Sequence, residues 1–81
     1  MKTDFSPRAA RDYKDLPPDL QALVRQQLNL LRDNLRHPSL NATKYGGTDD
    51  VWQGRVNRDY RFYFQIVGDT FHVISIIPHP K

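Results

Sequence analysis

Val51-Trp52-Gln53-Gly54-Arg55-Val56-Asn57-Arg58-Asp59-Tyr60-Arg61-Phe62-Tyr63-Phe64-Gln65-Ile66-Val67 is the stretch on which the fold turns. Residues 51–57 alternate in polarity, which puts Trp52 and Val56 on one face of a strand and Gln53, Arg55 and Asn57 on the other. Arg58-Asp59 then reads as a tight strand-to-strand turn. Residues 60–67 are aromatic and β-branched, hence a second strand, with Phe62, Phe64 and Ile66 as its apolar set and Arg61, Tyr63 and Gln65 facing outward. Gly68-Asp69 follows as a two-residue hairpin signal, and 71–77 is the partner strand, ended by Pro78.

Upstream of this sheet the period changes. Residues 2–5 form a short candidate strand. Ser6-Pro7 reads as a helix start, with Ser6 as the cap and Pro7 in the first helical position. Ala9, Tyr13 and Leu16 then make one apolar stripe, which Pro17-Pro18 ends, and the second proline opens the next helix. Leu20, Leu23, Val24, Leu28, Leu31 and Leu35 keep helical spacing for about four turns, until His37-Pro38 stops them. Residues 39–50 are a polar connection with room for a short strand at 43–45. The expected architecture is α+β in the order β-α-α-β-β-β: an antiparallel sheet with a helical hairpin packed on one face, built as one domain over residues 1–81.

Composition narrows the function. The chain has 81 residues, enough for one modest core. It has no cysteine, so neither disulfides nor thiolate-bound metal are expected. Net charge is +3 and eight of the twelve cations are arginine, whose planar fork suits phosphate. All nine acids are aspartate, which removes glutamate as a general base. No apolar run is long enough to span a bilayer, and Met1–Phe5 lacks the apolar stretch of a secretory signal, so no membrane partner and a cytoplasmic location are expected. Gly-rich phosphate loops, HExxH and GxSxG are absent, which leaves nucleotide hydrolase, zinc and serine-hydrolase readings without a motif.

If helices cover one sheet face, the other is open. In the last strand the parity is less decisive; placing Ser75, His79 and Lys81 outward gathers Arg55, Arg61, Tyr63, His79 and Lys81 on one concave face. Two arginines there can hold a phosphate and neutralise charge developing on it. His79 titrates near neutrality and can move a proton to or from a reacting oxygen. Tyr63 and Tyr60 are candidates for stacking on an unpaired base, and Arg58, Lys44 and Lys81 for added charge toward RNA. Taken singly, each has a plainer reading: a strand arginine as a solvated charge, Tyr63 as packing, His79 as part of an unstructured end. Asp49 and Asp50 read as a polar turn, and either can serve as a base where glutamate is absent. His37 and His72 read as structural. On the residues alone, the sequence supports a basic α+β domain with a candidate RNA or phosphodiester site.

Gly54-Arg55-Val56-Asn57-Arg58-Asp59-Tyr60-Arg61-Phe62-Tyr63-Phe64-Gln65-Ile66 carries a further signal: an arginine, a short turn, then Tyr-Arg and apolar strand residues. With the hairpin, the closing Val73–Lys81 and the opening Phe5-Ser6-Pro7-Arg8-Ala9-Ala10-Arg11-Asp12-Tyr13, this order resembles the RelE/ParE superfamily of toxins from type II toxin–antitoxin systems, over essentially the whole chain. The resemblance implies a toxin that binds a cognate antitoxin protein. On the RelE/YoeB branch it implies a ribosome-dependent mRNA endonuclease (an mRNA interferase) that needs no metal or cofactor, with ribosome and mRNA as partners. On the ParE branch it implies a DNA gyrase inhibitor. Carried over by position, Arg61 matches the arginine that stabilises the phosphate, Arg55 a basic residue of the preceding strand, His79 the C-terminal proton-transfer histidine, and Lys81 a second basic position. The chain departs from the pattern where Trp52, Gln53 and Gly54 stand in place of lysines, where no glutamate exists, and where the tail is cut to Pro-His-Pro-Lys.

Overall fold

A computed structural model describes residues 1–44 and 50–78. β1 (Lys2–Phe5) leads through α1 (Pro7–Lys14) and α2 (Pro18–Asp33) to a short 3₁₀ turn (Pro38–Leu40); then come β2 (Thr43–Lys44), β3 (Val51–Arg55), β4 (Tyr60–Val67) and β5 (Thr70–Pro78). Ser6 caps α1 as its residue type suggests, its hydroxyl accepting from the Ala9 amide at 3.0 Å. Pro18 opens α2. The α2 helix is shorter than its leucine spacing predicts. Asn34 adopts an extended conformation, and its side-chain oxygen accepts from the Arg36 amide, so Leu35 packs on the core from a turn.

The sheet order is β1-β5-β4-β3-β2, and it is mixed where an antiparallel one was expected. β2, β3, β4 and β5 are antiparallel neighbours, but β1 runs parallel to β5, with Phe5 opposite Val73. A parallel neighbour needs a crossover. The two helices supply it, carrying the chain over one sheet face before the meander returns β5 to the side of β1. Gly68 takes φ +60 at the β4–β5 hairpin, as the Gly-Asp pair requires.

One face of this sheet carries the core. Ala9, Val24, Leu28 and Leu31 from the helices pack with Val56, Phe62, Phe64, Phe71, Val73 and Ile76, and Leu40 closes one end. Phe64 lies at its centre, edge-on to Phe71 with centroids 5.7 Å apart and stacked beside Phe62 at 5.5 Å. Gly54 makes room for Phe62: a Cβ at residue 54 would sit 2.4 Å from the ring Cζ. Gly54→Ala is therefore expected to overpack a filled core and cost about 2 kcal/mol. Urea unfolding should show the drop as a lower midpoint at unchanged slope, and Phe62→Leu in the same chain should recover part of it.

A bulge between Tyr63 and Phe64 interrupts the β4–β5 register, and it explains why the parity of the last strand is ambiguous in the sequence. Phe71 and Val73 face the core before it and Ile76 after it, so the inward set switches from odd to even numbers. The α1 end holds this irregularity. Ser6 Oγ donates to the Ile74 carbonyl at 2.7 Å, and the Asp12 carboxylate accepts from the Ile76 amide at 3.0 Å, beyond the point where β1 has ended.

Candidate RNA interface

The sheet face away from the helices carries Gln53 and Arg55 from β3, Arg61, Tyr63 and Gln65 from β4, and Ser75 and Ile77 from β5. Arg55 is the direct cross-strand partner of Arg61, Gln53 of Tyr63, Tyr63 of Ser75, and Arg61 of Ile77. Two like charges placed opposite each other destabilise a sheet. Among the described residues no carboxylate pairs with either arginine; the ion pairs there are Arg8–Asp12, Arg58–Asp59 and His72–Asp4. An arginine pair on the face away from the helices, with no carboxylate partner among the described residues, is chemically suited to an anion.

Arg61 is also tied to the turn that precedes it. Its Nη1 donates to the carbonyls of Asn57 at 2.6 Å, Tyr60 at 2.9 Å and Arg58 at 3.3 Å. Asn57 builds that turn: its side-chain oxygen accepts from the amides of Asp59 (2.8 Å) and Tyr60 (2.9 Å). One nitrogen of the guanidinium is thus anchored, which fixes where Nε and Nη2 stand for a ligand. Asn57→Ala should cost about 1 kcal/mol in thermal unfolding, whereas Asn57→Asp, which keeps the acceptor, should remain close to wild type.

The structure sorts the sequence-predicted residues. Arg55 and Arg61 come together as expected. Tyr63 lies between them and the far end of the face, but it is buried at 8 % exposure and so forms floor, not an open stacking surface. Tyr60 shares the opposite parity and packs against the core. Lys44 is opposite Trp52 and sits over its indole ring at 5.8 Å, also on the helix side. Neither joins the arginine pair, because the pleat turns both to the other face. Arg58 is solvent-exposed at the turn beside Asp59. Asp50 is exposed in the left-handed region. His79, Lys81 and Asp49 lie outside the described residues. His37 Nδ1 accepts from the Ser39 amide, a local turn contact. His72 has a partner that sequence reading did not find, Asp4, because nothing in the sequence says that β1 and β5 are neighbours. The Asn57 turn was signalled by Asn-Arg-Asp between two strands; its grip on Arg61 was not.

No protein-family model and no curated protein matches the chain. Solved structures do. The chain is similar to a YoeB/ParE toxin from Agrobacterium tumefaciens, with TM-score 0.84 and 15% identity over 99% of this chain and 100% of that one. It is similar to the isolated E. coli RelE toxin, with TM-score 0.80 and 20% identity over 99% of this chain and 85% of that one. It also matches a chain of the YoeB-YefM complex from Staphylococcus aureus, with TM-score 0.82 and 18% identity over 99% and 98%. Strand order, helical crossover and closing hairpin together give this chain the fold of the RelE, YoeB and ParE toxins.

Proposed function

We propose that this protein, as one domain, is the toxin of a type II toxin–antitoxin pair and cuts mRNA on the ribosome. The observation that carries the reading is the cross-strand Arg55–Arg61 pair, unneutralised among the described residues, on the open sheet face. Arg55 and the free edge of Arg61 hold the scissile phosphate and stabilise the charge that builds on its oxygens. The adjacent 2′-hydroxyl gives up its proton to solvent and its oxygen forms a bond to phosphorus as the bond to the 5′ oxygen breaks, leaving a 2′,3′-cyclic phosphate and a 5′-hydroxyl. His79 is assigned the proton delivered to the leaving 5′ oxygen, and Lys81 a supporting charge. No metal or cofactor is assigned a role.

The antitoxin is the second partner. Structures similar to this chain include the intact E. coli RelBE toxin-antitoxin complex as well as YoeB-YefM, which supports a cognate antitoxin here. No helix among the described residues is long and apolar enough to cross a membrane, which is compatible with the cytoplasmic location assigned to a ribosome-directed toxin.

Inducing the protein and mapping mRNA 5′ ends tests the reading: new ends inside translated codons are expected. The absence of glutamate favours a second reading, a ParE-like gyrase inhibitor or a weakly catalytic antitoxin-binding member. Loss of gyrase supercoiling in vitro with intact mRNA would replace the first reading by the second.

A further inference from the structure

Asp4 and His72 form a polar pair that the arginine site does not use. They are register partners in the parallel β1–β5 ladder, as are Lys2 and Thr70. Phe71 and Val73 face the core, so Thr70 and His72, with their partners Lys2 and Asp4, lie on the open face, which is the face of Arg55 and Arg61. His72 Nδ1 is 2.5 Å from Asp4 Oδ1. A carboxylate only accepts, so Nδ1 carries the hydrogen of this bond, and in the Nδ1–H tautomer Nε2 is the acceptor. No hydrogen bond among the described residues uses Nε2. The side chains are 36 % and 59 % exposed, so the pair is not a buried charge that must be neutralised for the chain to fold.

Asp4, His72, Thr70 and Val67 line a concavity of about 340 Å³. Val67, 59 % exposed near the hairpin, provides an apolar wall. His72 Nε2 and the second carboxylate oxygen of Asp4 provide two acceptors beside it. An apolar wall with paired acceptors complements a flat ring that presents N–H donors, as an exocyclic amine does; a carboxylate accepting from the cytosine amine is one such pairing. Uracil offers two carbonyls and a single N–H, and fits such a wall poorly.

The position suits the same strand of RNA. His72 is opposite Gln65, which is four residues along β4 from Arg61, about 13 Å at the rise of a strand. Lys2, exposed beside Thr70, adds a cation near the concavity. We infer that Asp4, Thr70, His72 and Val67 form a nucleobase subsite that selects a base bearing an exocyclic amine over uracil, in a single-stranded RNA whose phosphate is held by Arg55 and Arg61. The inference rests on the RNA reading proposed above.

Fluorescence anisotropy at low salt, with labelled oligo-C and oligo-U of about eight nucleotides, tests it on the whole chain. Wild type should bind oligo-C about tenfold more tightly than oligo-U. His72→Phe keeps a ring but removes the acceptor, and should bring the two affinities to parity. Asp4→Asn replaces an acceptor by a donor, and should move the preference toward oligo-U. Arg61→Ala should weaken both oligomers while leaving their ratio intact. A wild type without base preference, or a preference unchanged in both the His72 and the Asp4 variant, overturns the subsite even where Arg61 governs affinity. Binding that is absent, or indifferent to Arg61→Ala, overturns the RNA reading and the subsite with it.

Discussion

Phe64→Ala is expected to lower stability by about 3–5 kcal/mol, a large part of what a domain of this length holds in reserve. The residue is fully buried in a core to which both helices and strands contribute. Its ring meets Phe62 and Phe71, and Trp52 stacks beside it at 6.2 Å. The strands around it are hydrogen-bonded on both sides, so the cavity left by the ring has little freedom to collapse. At about 4–8 °C per kcal/mol for a small domain, the midpoint of thermal unfolding should fall by at least about 12 °C. A fall of only a few degrees would mean that the aromatic cluster is not the centre of the core.

Arg55→Ala and Arg61→Ala should separate function from stability. Arg55 makes no ion pair among the described residues and faces another arginine, so its removal relieves repulsion. Arg55→Ala should leave stability unchanged or raise it by a few tenths of a kcal/mol, while abolishing growth arrest on induction. Arg61→Ala removes both the proposed phosphate contact and the donor to three turn carbonyls. It should cost about 1–2 kcal/mol of stability and lower cleavage about 10²–10³-fold. Arg61→Lys should behave like the alanine variant in cleavage, because one ammonium cannot anchor to the turn and present a planar fork to phosphate. Thermal unfolding and growth curves of the same variants check both halves. Variants that unfold and lose toxicity together would reduce both arginines to structural residues.

The parts of this fold set by local chemistry were legible in the sequence. Ser6-Pro7, Pro17-Pro18 and Gly68-Asp69 each mark a cap, a break or a turn through a single backbone preference, and each stands where its residue type predicts. Alternation in β3 and β4 correctly put Trp52 and Phe64 on one face and Arg55 and Arg61 on the other. What failed to show was set by distant partners. The parallel pairing of β1 with β5 depends on how far the helices carry the chain, and no residue in Lys2–Phe5 encodes that. The bulge in β5 is held by Ser6 and Asp12, more than sixty positions away in the chain. Tyr60 and Lys44 were candidates as an aromatic and a cation for RNA, yet the pleat turns both to the helix side of the sheet. The Asp4–His72 pair became visible only once β1 had a neighbour.

The most direct test of the arginine face is a reconstituted one. Purified protein added to ribosomes carrying a defined mRNA should cut the message within the ribosome-held segment, leaving 2′,3′-cyclic phosphate ends. Arg55→Ala and Arg61→Ala should each suppress the product about a hundredfold or more. Intact mRNA with the wild-type protein, or equal cutting by folded Arg55→Ala and Arg61→Ala variants, would contradict the assignment of this face to RNA cleavage.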